Sequence, residues 1–190
     1  MSDTYFEEQV FEGINIATKG LTQGHYEYCS FVNCDLSTGN LSNFQFTECT
    51  FTNCNLSNIK VMTTSLNDVT FTGCKMLGIN FDNCDGFLFS VSFSTCILNY
   101  SSFYKRQLKK ASFLHCTMQE VDFTDCDLTQ SNFDHCDLAN AKFENTNLEK
   151  ADLRTASNYT IDPDMNRIKK ALFSYPGVLG LLNKYDIVIK

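Results

Sequence analysis

The amino-acid sequence predicts a solenoid, a repetitive fold in which one chain winds through stacked coils of equal length. Three observations support this prediction: large apolar residues recur every five positions, phenylalanines recur every 20, and cysteines form a second series at the same spacing. Neither the helical period of 3.6 nor the strand period of 2.0 explains the pattern. The length of 190 residues suits one domain with a sizeable core.

The five-residue period covers most of the chain. Every fifth residue from Phe6 to Phe81 is apolar, the phase then shifts by two residues within DNCDGFL, and the pattern resumes from Leu88 to Leu153. The residue two positions before each large residue is mostly small or β-branched, and the other three positions are mainly polar. This periodicity outweighs any local secondary-structure propensity as a guide to the fold.

The segment CDLTQSNFDHCDLANAKFENTNLEKADLRT, residues 126–155, resembles the pentapeptide-repeat family almost literally, since that family has the pattern A(D/N)LXX. The resemblance extends over about residues 6 to 155. It implies an all-β solenoid, a right-handed quadrilateral β-helix with four pentapeptides per coil. The large and small residues of each face would then point inward.

The number of sides can be tested independently, because coils of 20 residues place every twentieth position in one column. The phenylalanine column is Phe11, Phe31, Phe51, Phe71, Phe93, Phe113 and Phe133, and the cysteine column is Cys34, Cys54, Cys74, Cys96, Cys116 and Cys136. A three-sided coil of 15 residues produces no such identity. At ~4.8 Å per coil, the sequence predicts a four-sided rod of about 35 Å.

Two irregularities punctuate the repeat. We expect residues 1–156 to form the β-helix, with a two-residue outward bulge within residues 82–87. Arg106 occupies an inward position one coil after the bulge, where an unpaired guanidinium would be costly. Three arrangements would satisfy it: bonds to the bulge carbonyls, a pair with Asp85, or a local opening to water.

Residues 157–190 lose the period and are predicted to form a C-terminal cap and dimerisation segment with a short helical element. Pro176 suits the first turn of a helix. One apolar stripe would contain Val178, Leu181, Leu182 and Tyr185. The stripe would either fold back over the last coil or meet a second chain across a two-fold axis. The resemblance implies a homodimer through this segment.

The sequence shows no motif for catalysis, so we predict a protein that is not an enzyme and has no catalytic, cofactor-binding or metal-binding residues. All ten cysteines occupy the inward small position, which indicates packing rather than metal binding or disulfide formation. His115 and His135 would stack on the exterior, but two imidazoles without a third ligand form a weak metal site.

Charge is the feature most suggestive of function, with a net charge of -7. The segment from residue 120 to 152 holds nine acidic residues against Lys142 and Lys150. The nine are Glu120, Asp122, Asp125, Asp127, Asp134, Asp137, Glu144, Glu149 and Asp152. They either form a partner-binding acidic face that imitates DNA, or are simply good corner formers.

The partner is suggested by the resemblance, which is nearest to the topoisomerase-protecting members: the microcin-immunity, albicidin-resistance and Qnr-type proteins. It implies binding to a type II topoisomerase, DNA gyrase or topoisomerase IV, and protection from a poison. The alternative is a structural or adaptor rod with an unrelated protein partner. The acidic balance and the absence of a signal or apolar span predict a cytoplasmic protein without direct nucleic-acid or membrane binding.

Overall fold

A computed structural model describes residues 4–188 and shows a right-handed quadrilateral β-helix, which confirms the predicted fold. The strands are β1 Thr4–Glu7, β2 Val10–Glu12, β3 Gly24–Glu27, β4 Ser30–Val32, β5 Gln45–Thr47, β6 Thr50–Thr52, β7 Ser65–Asn67, β8 Val69–Thr72, β9 Val91–Ser94, β10 Ser112–Leu114 and β11 Asn132–Asp134. Short 3₁₀ helices span Phe81–Asn83, Gly177–Leu181 and Asn183–Tyr185. Within residues 4–188, no helix is long and apolar enough to cross a membrane.

Each coil has four faces, which we number by the large residue of the first coil: Phe6, Phe11, Ile16 and Leu21. The first face carries the parallel sheet β1-β3-β5-β7, and the second carries the seven-stranded parallel sheet from β2 to β11. The other two faces are joined by isolated parallel bridges, such as the one between Asp35 and Asn55. The regular faces therefore present stacked columns of side chains to the exterior.

The phenylalanine column forms the centre of the core. Phe71 is 2% exposed, and its ring stacks on Phe51 and Phe93 at centroid distances of 5.1 and 5.3 Å. The pairing of β6 with β8 joins residues 20 apart, and that of β8 with β9 joins residues 22 apart. The columns and the two-residue shift are thus present as predicted.

The small inward position has a second role that its size alone does not reveal. The Cys74 thiol lies 3.3 Å from the carbonyl oxygen of Phe51 in the preceding coil, and Cys136 lies 3.3 Å from that of Phe113. Thr146 fills an equivalent position and donates its hydroxyl to the Phe123 carbonyl at 2.8 Å. The position therefore favours small side chains that can donate a hydrogen bond between coils.

Between Cys84 and Ser90 the chain leaves the regular coil. The residues from Asp85 to Leu88 are exposed, so the projecting segment reaches one residue beyond the predicted range of 82–87. Leu88 is 60% exposed with φ of 54°, and the prediction that the inward series resumes there is wrong. Phe89 packs against the core instead: it follows Phe81 by eight residues and precedes Phe93 by four, so three additional residues come before it and one fewer than usual comes after it.

Arg106 is only 8% exposed and is paired with the backbone of this bulge. Its guanidinium donates to the carbonyl oxygen of Asp82 at 2.7 Å and also to that of Cys84. The guanidinium carbon, Cζ, lies 4.9 Å from the centroid of the Phe89 ring, a cation–π contact. Of the three arrangements considered from the sequence, the structure therefore contains the one with bulge carbonyls as acceptors.

The β-helix ladder continues beyond residue 156. Asn147 bridges to Arg167, and Asp152 bridges to Leu172, so one more irregular coil covers the regular ones. The five-residue pattern fails there because Tyr159, Ile161 and Asn166 fill the interior in place of the usual residues. We therefore propose a boundary near residue 173 in place of the expected one at 156.

The C-terminal tail, residues 174–188 of the described chain, packs on its own chain. Its two 3₁₀ helices replace the single helical stripe expected from the sequence. Leu181 joins the core at 9% exposure, and the Gly180 carbonyl accepts a hydrogen bond from the Ile161 amide at 3.1 Å. Lys184 forms ion pairs with Asp162, at 2.6 Å, and with Asp164.

Candidate interaction surfaces

The nine acidic residues predicted to form one face surround the rod instead, and we call them the acidic belt. Asp127 and Glu149 lie on the first face, and Asp134 and Asp152 lie on the second. Glu120 and Asp137 belong to the third face, and Asp122, Asp125 and Glu144 belong to the fourth. The idea of a single acidic face is therefore wrong, because consecutive pentapeptides occupy consecutive sides.

Four belt carboxylates have a structural role at the corners. Each accepts a hydrogen bond from the backbone amide two residues later: Asp122 from Thr124 at 2.8 Å, Asp127 from Thr129 at 3.0 Å, Asp137 from Ala139 at 3.2 Å and Asp152 from Arg154 at 3.1 Å. Asn147 makes the same bond to Glu149 at 3.1 Å without a charge. The geometry of the corner thus accounts for an Asp or Asn at this position.

Hydrogen bonding also keeps several of these carboxylates ionised. The side chain of Arg154 is the main cause of the lowered pKa of Asp152. Partial burial alone would raise the pKa of Asp127, but bonds from Thr129 and the nearby Lys109 outweigh it and lower the pKa. The belt therefore keeps these negative charges at neutral pH.

Part of the belt is balanced by neighbouring cations. Asp152 pairs with Arg154 at 2.7 Å, Asp127 with Lys109 at 3.3 Å, and Glu144 with Lys142 at 3.4 Å. Within residues 4–188, Glu120, Asp125 and Glu149 form no ion pair. These three, with the exposed oxygens of the other members, are the charges most available to a basic partner.

The first face has one acidic half and one basic half, a division that was not predicted from the sequence. Its N-terminal half, from β1 to the bulge, presents Glu7, Glu8, Glu27, Glu48, Asp68 and Asp85. Its C-terminal half presents Lys109, Lys110, Lys150, Arg167, Lys169 and Lys170 beside Asp127 and Glu149. Grouping residues at multiples of 20 would have revealed this pattern, because that spacing assigns each residue to a face.

The side chains that could perform chemistry are packed or isolated in the described part of the chain. Burial raises the pKa of the Cys84 thiol to about 12 and that of Cys126 to about 12, which disfavours reactive thiolates. Between residues 4 and 188, no cluster of three His, Cys, Asp or Glu residues could hold a metal ion. The His115 and His135 rings stack at 4.9 Å, as expected from their shared column.

The predicted dimer residues do not behave as one stripe. Leu181 is buried in its own chain and is therefore unsuited to an interface, whereas Val178 and Tyr185 are 38% and 56% exposed. Leu182 is half-buried. Tyr175 was not singled out from the sequence, although it is 94% exposed at the start of the same tail.

Comparison with known proteins identifies the repeat. The sequence model of the pentapeptide repeat region matches residues 25–87 and 79–153. No curated protein sequence matches the chain. The chain is similar to trypsin-treated QnrB1, a plasmid-mediated fluoroquinolone resistance protein, with a TM-score of 0.50 and 19% identity over 98% of this chain and 100% of that one.

A second solved structure belongs to a protein with another role. HetL, a pentapeptide repeat protein involved in heterocyst differentiation regulation in the cyanobacterium Nostoc, has a TM-score of 0.46 and 14% identity. The match covers 90% of this chain and 84% of that one. Because the model of the repeat region matches well over half of the sequence, this chain belongs to the pentapeptide-repeat family.

Proposed function

We propose that this protein binds a type II topoisomerase, such as DNA gyrase, through its acidic belt and protects the enzyme from a poison. The binding would need no catalysis by the protein. The observation that carries the proposal is the belt itself, with nine carboxylates and two lysines between residues 120 and 152 of a rigid rod. A basic DNA-binding groove attracts such a field, and a preformed rod loses little entropy on binding.

The arrangement of the belt supports an imitation of DNA more than a flat acidic face would. Charges lie on all four sides, as phosphates lie around a duplex, and successive coils repeat at about 4.8 Å. A groove that encloses a duplex can therefore contact the rod on more than one side. The resistance activity of QnrB1, a protein of the same fold, is consistent with this type of partner.

We further propose a homodimer through the apolar residues that the tail leaves exposed. Val178, Leu182 and Tyr185 are the predicted interface residues available for this contact, and Tyr175 extends the same surface. Leu181 supports them from inside its own chain. At high salt, where contacts driven by charge are screened, changing Val178 and Tyr185 to Asp should produce monomers without altering the β-sheet circular dichroism, whereas a wild type that sediments as a monomer at high salt would contradict this proposal.

The alternative of an adaptor rod is favoured by the hydrogen bonds that four belt aspartates make at corners. These bonds explain the aspartates without any partner. The same bonds permit a clean experiment, because Asn retains the side-chain oxygen that accepts the amide and removes only the charge. Asn147 shows that the fold accepts this substitution.

The experiment compares binding of purified gyrase by wild type, by Asp122→Asn with Asp137→Asn, and by all four aspartates changed to Asn. The matched control removes two charges outside the belt through Glu12→Gln and Asp35→Asn. Binding should fall with each belt charge removed, weaken as salt is added, and compete with DNA. Equal binding by the belt and control variants would favour the adaptor rod.

A further inference from the structure

The first face is divided into two halves of opposite charge. Its N-terminal half presents six carboxylates and, among the described residues, no lysine or arginine. Its C-terminal half presents six basic residues against Asp127 and Glu149. Asp127 is already paired with Lys109, and within the described chain Lys110, Lys150, Lys169 and Lys170 form no ion pair. Each half therefore lacks the counter-charge that the other half possesses.

The bulge lies at the boundary between these halves and exposes apolar side chains there. Phe87 is 74% exposed and Leu88 is 60% exposed. A mainly polar groove beside them is lined by Phe89, Lys109 and Lys110, among other residues. Exposed apolar side chains, aromatic ones above all, are typical of the centre of a protein interface, and polar groups are typical of its rim.

We propose that two copies of this chain associate side by side through their first faces, in antiparallel orientation, with a two-fold axis at the bulge. An isologous contact requires a surface that complements itself after such a rotation. Rotation about the bulge places the acidic half of one rod against the basic half of the other. It also brings Phe87 of each chain towards the groove of its partner.

The complementarity extends from coil to coil. Counting outward from Leu88, the first coil on each side pairs Asp68 with Lys110, but the third is mixed, because Glu27 would face a coil that holds both Glu149 and Lys150. The fourth coil sets Glu7 and Glu8 against the basic residues around Lys170. The second coil does not fit, because Glu48 would face the coil that on this face contains Asp127 and no basic residue of its own. The nearest cation, Lys109 of the neighbouring coil, is already paired with Asp127. The first and the fourth of the four coil pairs are therefore complementary, and both lie where the excess of one charge is not diluted by the other.

The size of the face sets the expected strength. Nine coils, the bulge coil and four on each side, at ~4.8 Å by a width of about 10 Å give roughly 430 Å² of flat area per chain. A standard interface removes about 800 Å² of accessible surface per partner, so this contact lies at the weak end. The dimer should therefore be transient and sensitive to salt.

A charge-exchange experiment tests the arrangement. The first variant carries Glu7→Lys, Glu8→Lys and Glu27→Lys, and the second carries Lys150→Glu, Lys169→Glu and Lys170→Glu. All six residues point outward, so both variants should fold. Both are made in the Val178→Asp, Tyr185→Asp background, which removes the proposed tail contact. Each alone should dimerise at least tenfold more weakly in sedimentation than that background, whereas an equimolar mixture should associate at least as tightly as the background.

A position-specific test uses a thiol at the proposed axis. All ten native cysteines are buried, so Leu88→Cys introduces an accessible thiol close to its symmetry mate. Mild oxidation should produce a covalent dimer, whereas Thr50→Cys on the second face should not. A dimer through the tail would be unaffected by the charge variants, so the two interfaces are distinguishable.

Three results would overturn the proposal: association of both charge variants at the strength of their background, a mixture no tighter than its components, or equal cross-linking of both cysteine variants. Heparin serves as a probe of the basic half. Saturable heparin binding by wild-type protein that stays monomeric at low salt would also overturn the proposal, and would assign the basic half to an anionic polymer.

Discussion

Replacement of Arg106 tests how the irregular coil is stabilised. The guanidinium makes two charged hydrogen bonds to the bulge carbonyls and a close contact with the Phe89 ring. Charged hydrogen bonds each contribute about 1.5–3 kcal/mol, and their loss would leave the Asp82 and Cys84 carbonyls without this donor. We therefore expect Arg106→Ala to lower the free energy of unfolding by about 3–5 kcal/mol.

The measurement is urea unfolding followed by far-ultraviolet circular dichroism, since the chain has no tryptophan to report on the core. Arg106→Lys keeps the charge but loses the planar fork, so its loss should be about half as large. Lys105→Ala is the matched control, because Lys105 is exposed and should change stability by less than ~0.5 kcal/mol. A loss below ~1 kcal/mol for Arg106→Ala would refute the coupling between this arginine and the bulge.

The remaining predictions concern the core and the tail. Phe71→Ala should cost about 3–5 kcal/mol in urea unfolding, because the ring is buried between two others; a loss below ~1 kcal/mol would contradict the column. Cys74→Ser should preserve the bond to the Phe51 carbonyl and unfold at nearly the wild-type urea concentration, and Cys74→Ala should be mildly destabilised. The Lys184 side chain lowers the pKa of Asp162. This ion pair therefore stabilises the tail at any pH above the ordinary pKa of an aspartate, and the stabilisation is lost when the pH falls far enough to protonate Asp162. Hydrogen exchange in residues 177–185 should therefore accelerate at pH 3 relative to the coils, and Lys184→Met should remove this pH dependence; an unchanged pH dependence in the variant would contradict the role of the ion pair.

The sequence was sufficient for the features that depend on repetition. The Phe71 and Cys74 columns follow from a fixed coil length, and every member occupies the inward position that its spacing predicts. The bulge was located only approximately, because Leu88 and Phe89 are both apolar and only the path of the backbone decides which one packs inward. The pairing of Arg106 was narrowed to three possibilities by the cost of burying its charge.

The candidate surfaces were harder to predict, because they depend on which side of the rod each residue occupies. A linear run of carboxylates such as Asp122, Asp127 and Asp137 suggests one acidic patch, but successive pentapeptides turn by one side each. The charged halves of the first face were hidden for the opposite reason: Lys110 and Lys150 are 40 positions apart in sequence but share a column. The end of the repeat was missed because Tyr159 and Asn166 satisfy the interior with unusual residues.

The proposed function is tested most directly by gyrase supercoiling in the presence of a poison that traps the cleaved DNA complex. Adding wild-type protein should reduce trapped cleavage and restore supercoiling, and the variant with Asn at residues 122, 127, 137 and 152 should do so much less. The Glu12→Gln, Asp35→Asn control should behave as wild type. Unchanged cleavage with folded wild-type protein at saturating concentration, across several poisons, would contradict the proposal that this rod protects a type II topoisomerase.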